Sequence, residues 1–157
     1  MVLAKDQAGC RFLQSQIESS DELFQIVFRA TIQDLAVLMV DPFGNYLVQK
    51  LVERCSSDQM RQVVLAMRDK PLQICKDLHG TRSVQKIVEV LTTSPHKRLL
   101  SEYLLSVFVN LTYEINGNHV IQKILNSWSS EDKQFLYDAM MSNCAQIACH
   151  MHGCCIM

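Results

Sequence analysis

The sequence predicts an all-α protein, a right-handed and crescent-shaped α-solenoid built from three-helix repeats of about 36 residues. The first observation is a repeat period of about 36 residues, since five glycines follow one another at intervals of 35, 36, 37 and 36 residues. These glycines are Gly9, Gly44, Gly80, Gly117 and Gly153. A second observation is that a glutamine stands five residues after each of the first four glycines, at Gln14, Gln49, Gln85 and Gln122. A third is the helical spacing of apolar residues such as Leu47, Val48, Leu51 and Val52, which marks a buried face.

Each unit is predicted to start with a short helix that ends near an acidic residue, three positions before the glycine. The residues at this place are Asp6, Asp41, Asp77, Glu114 and, in the fifth unit, His150. A glycine turn, a helix that carries the glutamine and a third helix should follow. In the second unit we expect these helices at about residues 32–41, 45–55 and 57–68. Carboxylates at such places are typical of turns and helix caps rather than of catalytic pairs.

Serines mark the predicted start of each third helix. Ser19 and Ser56 are each followed three residues later by Glu or Gln, the pattern in which two side chains satisfy free N–H groups of a first helical turn. Ser94-Pro95 and Ser129-Ser130-Glu131 occupy the equivalent places, and proline suits a first helical turn.

The predicted helices divide the chain into four full units and an incomplete one within a single domain. The units cover about residues 1–31, 32–69, 70–104, 105–142 and 143–157. Because the fifth unit stops before a glutamine, we expect the chain to be a fragment or a truncated product of a longer repeat array.

Composition narrows the class of protein. Hydrophobic residues make up 48% and charged residues 20%, which is typical of a packed protein. The seven cysteines are odd in number and no secretion signal precedes them, so we expect reduced thiols and a cytoplasmic location. A net charge of -1 predicts no general electrostatic attraction to nucleic acid, so any such binding must depend on local placement.

Three side chains per unit should form one polar patch on the middle helix, and we call them a trio. The first residue after the glycine lies four positions before the glutamine, so both are on one side of the helix. The second residue after the glycine projects beside them. The trios are Cys10, Arg11 and Gln14; Asn45, Tyr46 and Gln49; Thr81, Arg82 and Gln85; and Asn118, His119 and Gln122. Gln and Asn carry both donors and an acceptor for a base edge, while Arg, Tyr and His offer flat groups on which bases stack.

Other candidate ligands lie beside the trios. Lys50, Lys86 and Lys123 directly follow a glutamine, where they either contact a phosphate or are simply solvated. The crowding of Cys149, His150, His152, Cys154 and Cys155 is compatible with zinc, but the repeat register explains these positions without a metal, and no metal or other cofactor is expected. Cys154 and Cys155 take the first two trio places of the incomplete unit.

The motifs GCRFLQ, GNYLVQ, GTRSVQ and GNHVIQ, spaced by about 36 residues, resemble the repeats of the Pumilio (PUF) family over essentially the whole chain. The resemblance is to the N-terminal repeats one to four and the start of repeat five of a Pumilio homology domain. It implies single-stranded RNA as the partner, with one base recognised per repeat. It also implies binding to U/A-rich 3′ untranslated regions and control of messenger RNA stability or translation, together with regulatory protein partners.

The family's recognition rule assigns a base to each trio. Cysteine with glutamine implies adenine, and asparagine with glutamine implies uracil, so Cys10 and Asn45 imply A and U. Thr81 implies A, although threonine is a less usual residue there, and Asn118 implies U. Since family proteins run antiparallel to their RNA, the expected core is 5′-UAUA-3′.

The sequence also bears on two other classes of protein. An enzyme is not expected, because no nucleophile, base and orienting group come together in the sequence. A helical-repeat scaffold that binds protein partners and has little RNA affinity is the alternative. The trios separate the two, because a scaffold would be indifferent to RNA sequence.

Overall fold

The computed structural model describes residues 2–157, which form helices and no strand. The α-helices are α1 (Gln7–Ser19), α2 (Asp21–Thr31), α3 (Leu35–Met39), α4 (Gly44–Arg54), α5 (Ser57–Leu65), α6 (Pro71–Lys76), α7 (Gly80–Val90), α8 (Ser94–Leu105), α9 (Phe108–Tyr113), α10 (Ile115–Ser127), α11 (Gln134–Ser142) and α12 (Cys144–Ala148). Short 3-10 helices are formed by Leu3–Lys5, Ile32–Asp34 and Gly153–Ile156. Within residues 2–157, none of the helices combines the length and the apolar character needed to cross a bilayer.

The four glutamine-bearing helices stack in chain order. Helix α4 packs between α1 and α7, and α10 packs against α7 on one side and against Gly153–Ile156 on the other. A second layer follows the same order, with α5 against α8 and α8 against α11. This arrangement, in which each unit contacts its neighbours, confirms the predicted all-α solenoid.

The core lies between the stacked units. Leu47, Leu51, Ile87, Ile121 and Ile124 of the glutamine-bearing helices are fully buried. Burying a side chain of this size contributes about 1.5 to 3 kcal/mol. Because the buried face of one helix is covered by the helices of the next unit, no unit has a complete core of its own.

The predicted glycine turn is wrong. Gly44 and Gly80 are the first residues of α4 and α7, and within residues 2–157 no glycine has a positive φ. A Cβ at Gly80 would lie 2.1 Å from the carbonyl oxygen of Ile74, and one at Gly9 would lie 2.4 Å from that of Leu3. The glycine period therefore reflects the close approach of a unit's first helix to the start of its glutamine-bearing helix.

The three aspartates before the glycines are caps, as predicted, whereas Glu114 makes no side-chain capping hydrogen bond to α10. Asp77 Oδ1 accepts the backbone N–H groups of His79 and Gly80, each at 2.8 Å. Asp6 and Asp41 do the same for the N–H groups of their glycines. In the fifth unit His150 Nδ1 accepts from the N–H of His152 at 3.2 Å and of Gly153 at 3.4 Å. The change of residue type therefore preserves the hydrogen-bonding role.

The starts of the third helices agree only in part with the serine pattern. Ser56 and Gln59 form the predicted reciprocal cap of α5. Ser19 does not cap α2, because it is the last residue of α1, and the Ser20 hydroxyl accepts the Glu22 N–H instead. Thr93 holds the N-cap position of α8, so Ser94 is already helical. The Ser129 hydroxyl accepts the Asp132 N–H but closes a turn, since α11 begins only at Gln134.

Candidate nucleic-acid interface

The three trio positions differ systematically in exposure. The first-position residues are buried, with Cys10 2%, Asn45 0%, Thr81 4% and Asn118 4% exposed. The second-position residues Arg11, Tyr46, Arg82 and His119 are all exposed. The glutamines lie between these extremes. A ligand approaching these helices would therefore meet the flat second-position groups and the ends of the glutamines first.

Each glutamine donates a hydrogen bond to the first residue of its own trio. The Nε2 atoms of Gln49 and Gln122 donate to the Oδ1 atoms of Asn45 and Asn118 at 3.0 and 2.7 Å. Gln14 Nε2 donates to Cys10 Sγ, and Gln85 Nε2 donates to Thr81 Oγ1, both at 3.2 Å. All four carboxamides therefore have the same orientation, and their Oε1 atoms accept no hydrogen bond from residues 2–157.

Three first-position residues also bond to the next unit. The Cys10 thiol donates to the Phe43 carbonyl at 3.1 Å, and the Thr81 hydroxyl donates to the Asn116 carbonyl at 2.9 Å. Asn118 Nδ2 donates to the His152 carbonyl at 2.8 Å. Each acceptor directly precedes the glycine of the following unit. Asn45 differs, because its Nδ2 donates to the carbonyls of Asp41 and Pro42 in its own unit.

A cavity of about 360 Å³ lies between the first two units. It is lined by Gln7, Cys10, Arg11, Gln14, Pro42, Phe43 and Tyr46. The complete first trio and the second-position residue of the next trio thus share one space. Flat second-position side chains of two successive units, Arg11 and Tyr46, therefore border the same space.

The three lysines that follow the glutamines form ion pairs. Lys50 lies 2.8 Å from Glu18, Lys86 lies 2.8 Å from Glu53, and Lys123 lies 3.0 Å from Glu89. We call this row the glutamate–lysine ladder; its members are Glu18, Lys50, Glu53, Lys86, Glu89 and Lys123. Simple solvation does not describe these lysines, whereas phosphate contact stays a prediction.

The acidic half of this ladder was not predicted from the sequence. Its signal was present, because Glu18, Glu53 and Glu89 each stand nine residues after a glycine. The hydrogen bond from Lys50 lowers the pKa of Glu18, and those from Lys123 and Lys86 lower the pKa of Glu89. Conversely, the bond to Glu53 raises the pKa of Lys86.

The cysteine- and histidine-rich segment at residues 149–155 packs against the fourth unit. The His150 ring stacks on Tyr113 with ring centroids 4.0 Å apart. Cys149, Cys154 and Cys155 are exposed thiols. Across residues 2–157, no three His, Cys, Asp or Glu side chains are grouped so that they could hold a metal ion.

Comparison with known proteins gives the same family over all five units. The family model described as "Pumilio-family RNA binding repeat" matches residues 1–30, 35–67, 72–103, 108–141 and 143–157. The chain is 42% identical over 159 residues to Pumilio homolog 12 of Arabidopsis thaliana, covering 99% of this chain and 27% of that protein. It is also 42% identical to the Pumilio domain-containing protein C6G9.14 of Schizosaccharomyces pombe, covering 98% of this chain and 23% of that protein. The chain thus spans about a quarter of the length of these relatives.

Solved structures with the same fold contain RNA. The Puf4 RNA-binding domain bound to the HO endonuclease RNA 3′ UTR recognition sequence matches with a TM-score of 0.93 and 39% identity, covering 98% of this chain and 48% of that one. The RNA-binding domain of yeast Puf5p bound to SMX2 RNA matches with a TM-score of 0.87 and 34% identity, covering 98% and 45%. The chain therefore corresponds to about half of each of these domains.

Proposed function

Because the chain belongs to the Pumilio family, we propose that it binds single-stranded RNA through the trios of α1, α4, α7 and α10. The observation that carries this proposal is the repeated geometry of the trios. Four glutamine carboxamides are held in one orientation, each beside an exposed Arg, Tyr or His side chain. Such a row matches a strand of unpaired bases, since each unpaired base exposes its hydrogen-bonding edges and two stacking faces.

Each carboxamide offers an acceptor and a donor side by side. With one Nε2 hydrogen engaged inside the trio, Oε1 and the second N–H remain for a base edge. Adenine and uracil both present a neighbouring donor and acceptor on their Watson–Crick edges. Stacking on the second-position groups adds about 1 to 3 kcal/mol per base. The cavity between Arg11 and Tyr46 supports this placement for the first unit.

We further propose one base per unit and the core 5′-UAUA-3′, with Asn118 and Gln122 at the 5′ end. The order follows from applying the family's rule to the four trios, with Cys10 and Thr81 selecting A and Asn45 selecting U. Within this proposal the RNA is the U/A-rich 3′ untranslated region of messenger RNA in the cytoplasm. The chain would then regulate message stability or translation through protein partners.

The test is fluorescence anisotropy with labelled 5′-UGUAUAUA-3′ RNA and variants changed one base at a time. UAUA occurs twice in this RNA, at bases 3–6 and 5–8, so changes at the shared bases 5 and 6 should weaken binding most and changes at bases 1 and 2 least. The Gln49→Ala variant should lose the preference for U at its own base and keep the preferences at the other three. Gln33→Ala, at an exposed glutamine outside the trios, is the matched control and should bind as the unchanged protein does.

Two outcomes would contradict the proposal. One is the absence of measurable binding, and the other is equal affinity for every RNA sequence. Either result would favour the alternative function of a helical scaffold for protein partners.

A further inference from the structure

We infer that a groove containing no trio residue binds an extended peptide segment of a partner protein, one with apolar residues in its middle and Asp or Glu at both ends. One wall of the groove is formed by α2, the 3-10 helix Ile32–Asp34 and α3. The other is formed by α5, the turn at residues 66–70 and α6. We call it the α2–α6 groove. It offers a binding surface separate from the one proposed for RNA, because none of its lining residues belongs to a glutamine-bearing helix.

Three adjoining cavities form the α2–α6 groove, with volumes of about 450, 330 and 330 Å³. The first two share Ile32 and Gln62 as lining residues, and the last two share Gln33 and Ala66. Because neighbouring cavities have walls in common, the groove is continuous over its length. A continuous groove suits an extended chain better than it suits a compact small molecule.

The middle of the groove is apolar. Ile32, Ala36, Val40 and Ala66 are partly buried against the hydrophobic core, and Val37 is 46% exposed. Covering this strip with apolar side chains of a ligand would remove it from water, which is favourable. The apolar strip therefore predicts apolar residues in the middle of the bound peptide.

Glutamine side chains border the apolar strip on both walls. Gln33, Gln62 and Gln73 are exposed, and within residues 2–157 their carboxamides have no hydrogen-bond partner. A carboxamide carries a donor and an acceptor side by side, which is the pair that each peptide unit of an extended chain presents. The only aromatic residue among those lining the groove is Phe28, which is 3% exposed and cannot stack on a base. This chemistry favours a peptide over a nucleic acid.

The two ends of the groove carry cations. Arg29 lines one end and Lys70 the other, and both are exposed and form no ion pair within residues 2–157. Among the described residues that line the groove, Asp69 supplies the one carboxylate, and it lies 3.2 Å from Arg68. The unpaired charges are therefore positive, which complements acidic residues at both ends of a peptide. Such charges contribute more to the choice of partner than to affinity.

Selection from a phage-displayed library of random eight-residue peptides tests the inference, with the folded chain as bait and no RNA present. Enriched peptides should have Asp or Glu near both ends and apolar residues between them. The affinity of an enriched synthetic peptide, measured by fluorescence anisotropy, should fall about threefold to tenfold in Arg29→Glu and in Lys70→Glu, because each change replaces an exposed ion pair by repulsion. Arg61→Glu is the matched control, because this exposed cation of α5 does not line the groove, and its affinity should stay nearly unchanged.

Two glutamine variants separate this inference from the proposed RNA binding. Gln33→Ala should weaken peptide binding and leave RNA binding unchanged, whereas Gln49→Ala should do the reverse. Circular dichroism of each variant confirms that the helices are intact.

Four results would overturn the inference while leaving RNA binding in place. They are the failure to enrich any peptide, enriched peptides that lack acidic ends, equal affinity for the Arg29→Glu and Lys70→Glu variants, and displacement of the peptide by UGUAUAUA RNA. Displacement would show that the two ligands share one surface. Retained peptide binding in a protein that does not bind RNA would instead count against the proposed function alone.

Discussion

Gly80 and Gly44 hold the same place in consecutive units, yet their surroundings differ. A Cβ at position 80 would lie 2.1 Å from a backbone carbonyl oxygen, which cannot move without shifting α6. At position 44 the nearest atom is Leu38 Cδ2 at 2.8 Å, and the nearest backbone atom is the Leu38 carbonyl oxygen at 3.0 Å. The cost of adding one methyl group should therefore depend on which unit receives it.

We expect Gly80→Ala to lower the free energy of unfolding by about 3 kcal/mol, the cost of overpacking against a rigid neighbour. Gly44→Ala should cost less, about 1 kcal/mol, because the nearest backbone oxygen lies at 3.0 Å from the added Cβ rather than at 2.1 Å. Urea unfolding followed by circular dichroism measures both. Alanine normally stabilises a helix relative to glycine by about 1 kcal/mol. A stabilised Gly80→Ala variant would therefore show that close packing does not explain the period.

The caps give a second comparison at the residue scale. Asp77→Ala removes the acceptor for two backbone N–H groups at the start of α7 and should cost about 1 kcal/mol of unfolding free energy. Glu114→Ala is the control, because the Glu114 side chain makes no capping hydrogen bond to α10. At pH 7 the thermal midpoint of Asp77→Ala should therefore be lower than that of Glu114→Ala. Equal midpoints would contradict the capping role of Asp77.

Among the elements, the glutamine-bearing helices are joined by the glutamate–lysine ladder. Each pair is partly exposed, so a single pair contributes little to stability at moderate salt. The ladder nevertheless links α1, α4, α7 and α10 in series, and the pKa values of its carboxylates Glu18 and Glu89 are lowered. Its effect should therefore appear in the pH dependence of unfolding.

The pKa of Glu89 is held below its ordinary value of 4.5 by Lys123 and Lys86. Stability from this carboxylate is thus present above pH 4.5 and is lost as the pH falls through the lower folded-state pKa. Glu89→Gln should be less stable than the unchanged protein at pH 7, and the difference should disappear in acid. Urea midpoints from pH 7 to pH 3 measure this. A difference that persists undiminished at pH 3 would exclude the ladder as its source.

The boundaries of these elements were largely predictable from sequence, because period, apolar spacing and capping residues are local signals. The Ser56 cap and the Asp77 cap are examples. Features that depend on contact between helices were not predictable in the same way. The role of Gly80 could be identified only from the position of Ile74. The burial of Asn45 could be identified only from the packing of α4 against its neighbours. The trio residues were predicted from the sequence and their role stays a prediction, whereas their internal hydrogen bonds were not predicted.

At the scale of the whole molecule, contacts between neighbouring units hold the repeats together. Trp128, which follows α10, donates its indole N–H to the Val88 carbonyl of α7 at 3.1 Å and is 5% exposed. Lys97 of α8 lies over the same ring at 5.5 Å and pairs with Asp132 at 2.7 Å. The third and fourth units are therefore joined on the side of the third helices as well as through the trios.

The charge of the whole molecule bears on how RNA would be held. The net charge is -1, and the three lysines nearest the trios are already paired with glutamates. Arg11 and Arg82 are exposed and make no ion pair within residues 2–157. These two arginines are the cations beside the trios that are free to neutralise phosphates.

Binding should therefore depend only weakly on salt. For a single strand, two neutralised phosphates give a slope of about -1.4 in a plot of log affinity against log salt concentration. Release of Lys50, Lys86 and Lys123 from the ladder to three further phosphates would steepen the slope to about -3.5. Anisotropy titrations with the UGUAUAUA RNA between 50 and 300 mM KCl distinguish the two. The shallow slope is expected, because each lysine would have to leave a glutamate that it already contacts. A steep slope would show instead that the ladder opens when RNA binds and that these lysines contact phosphate.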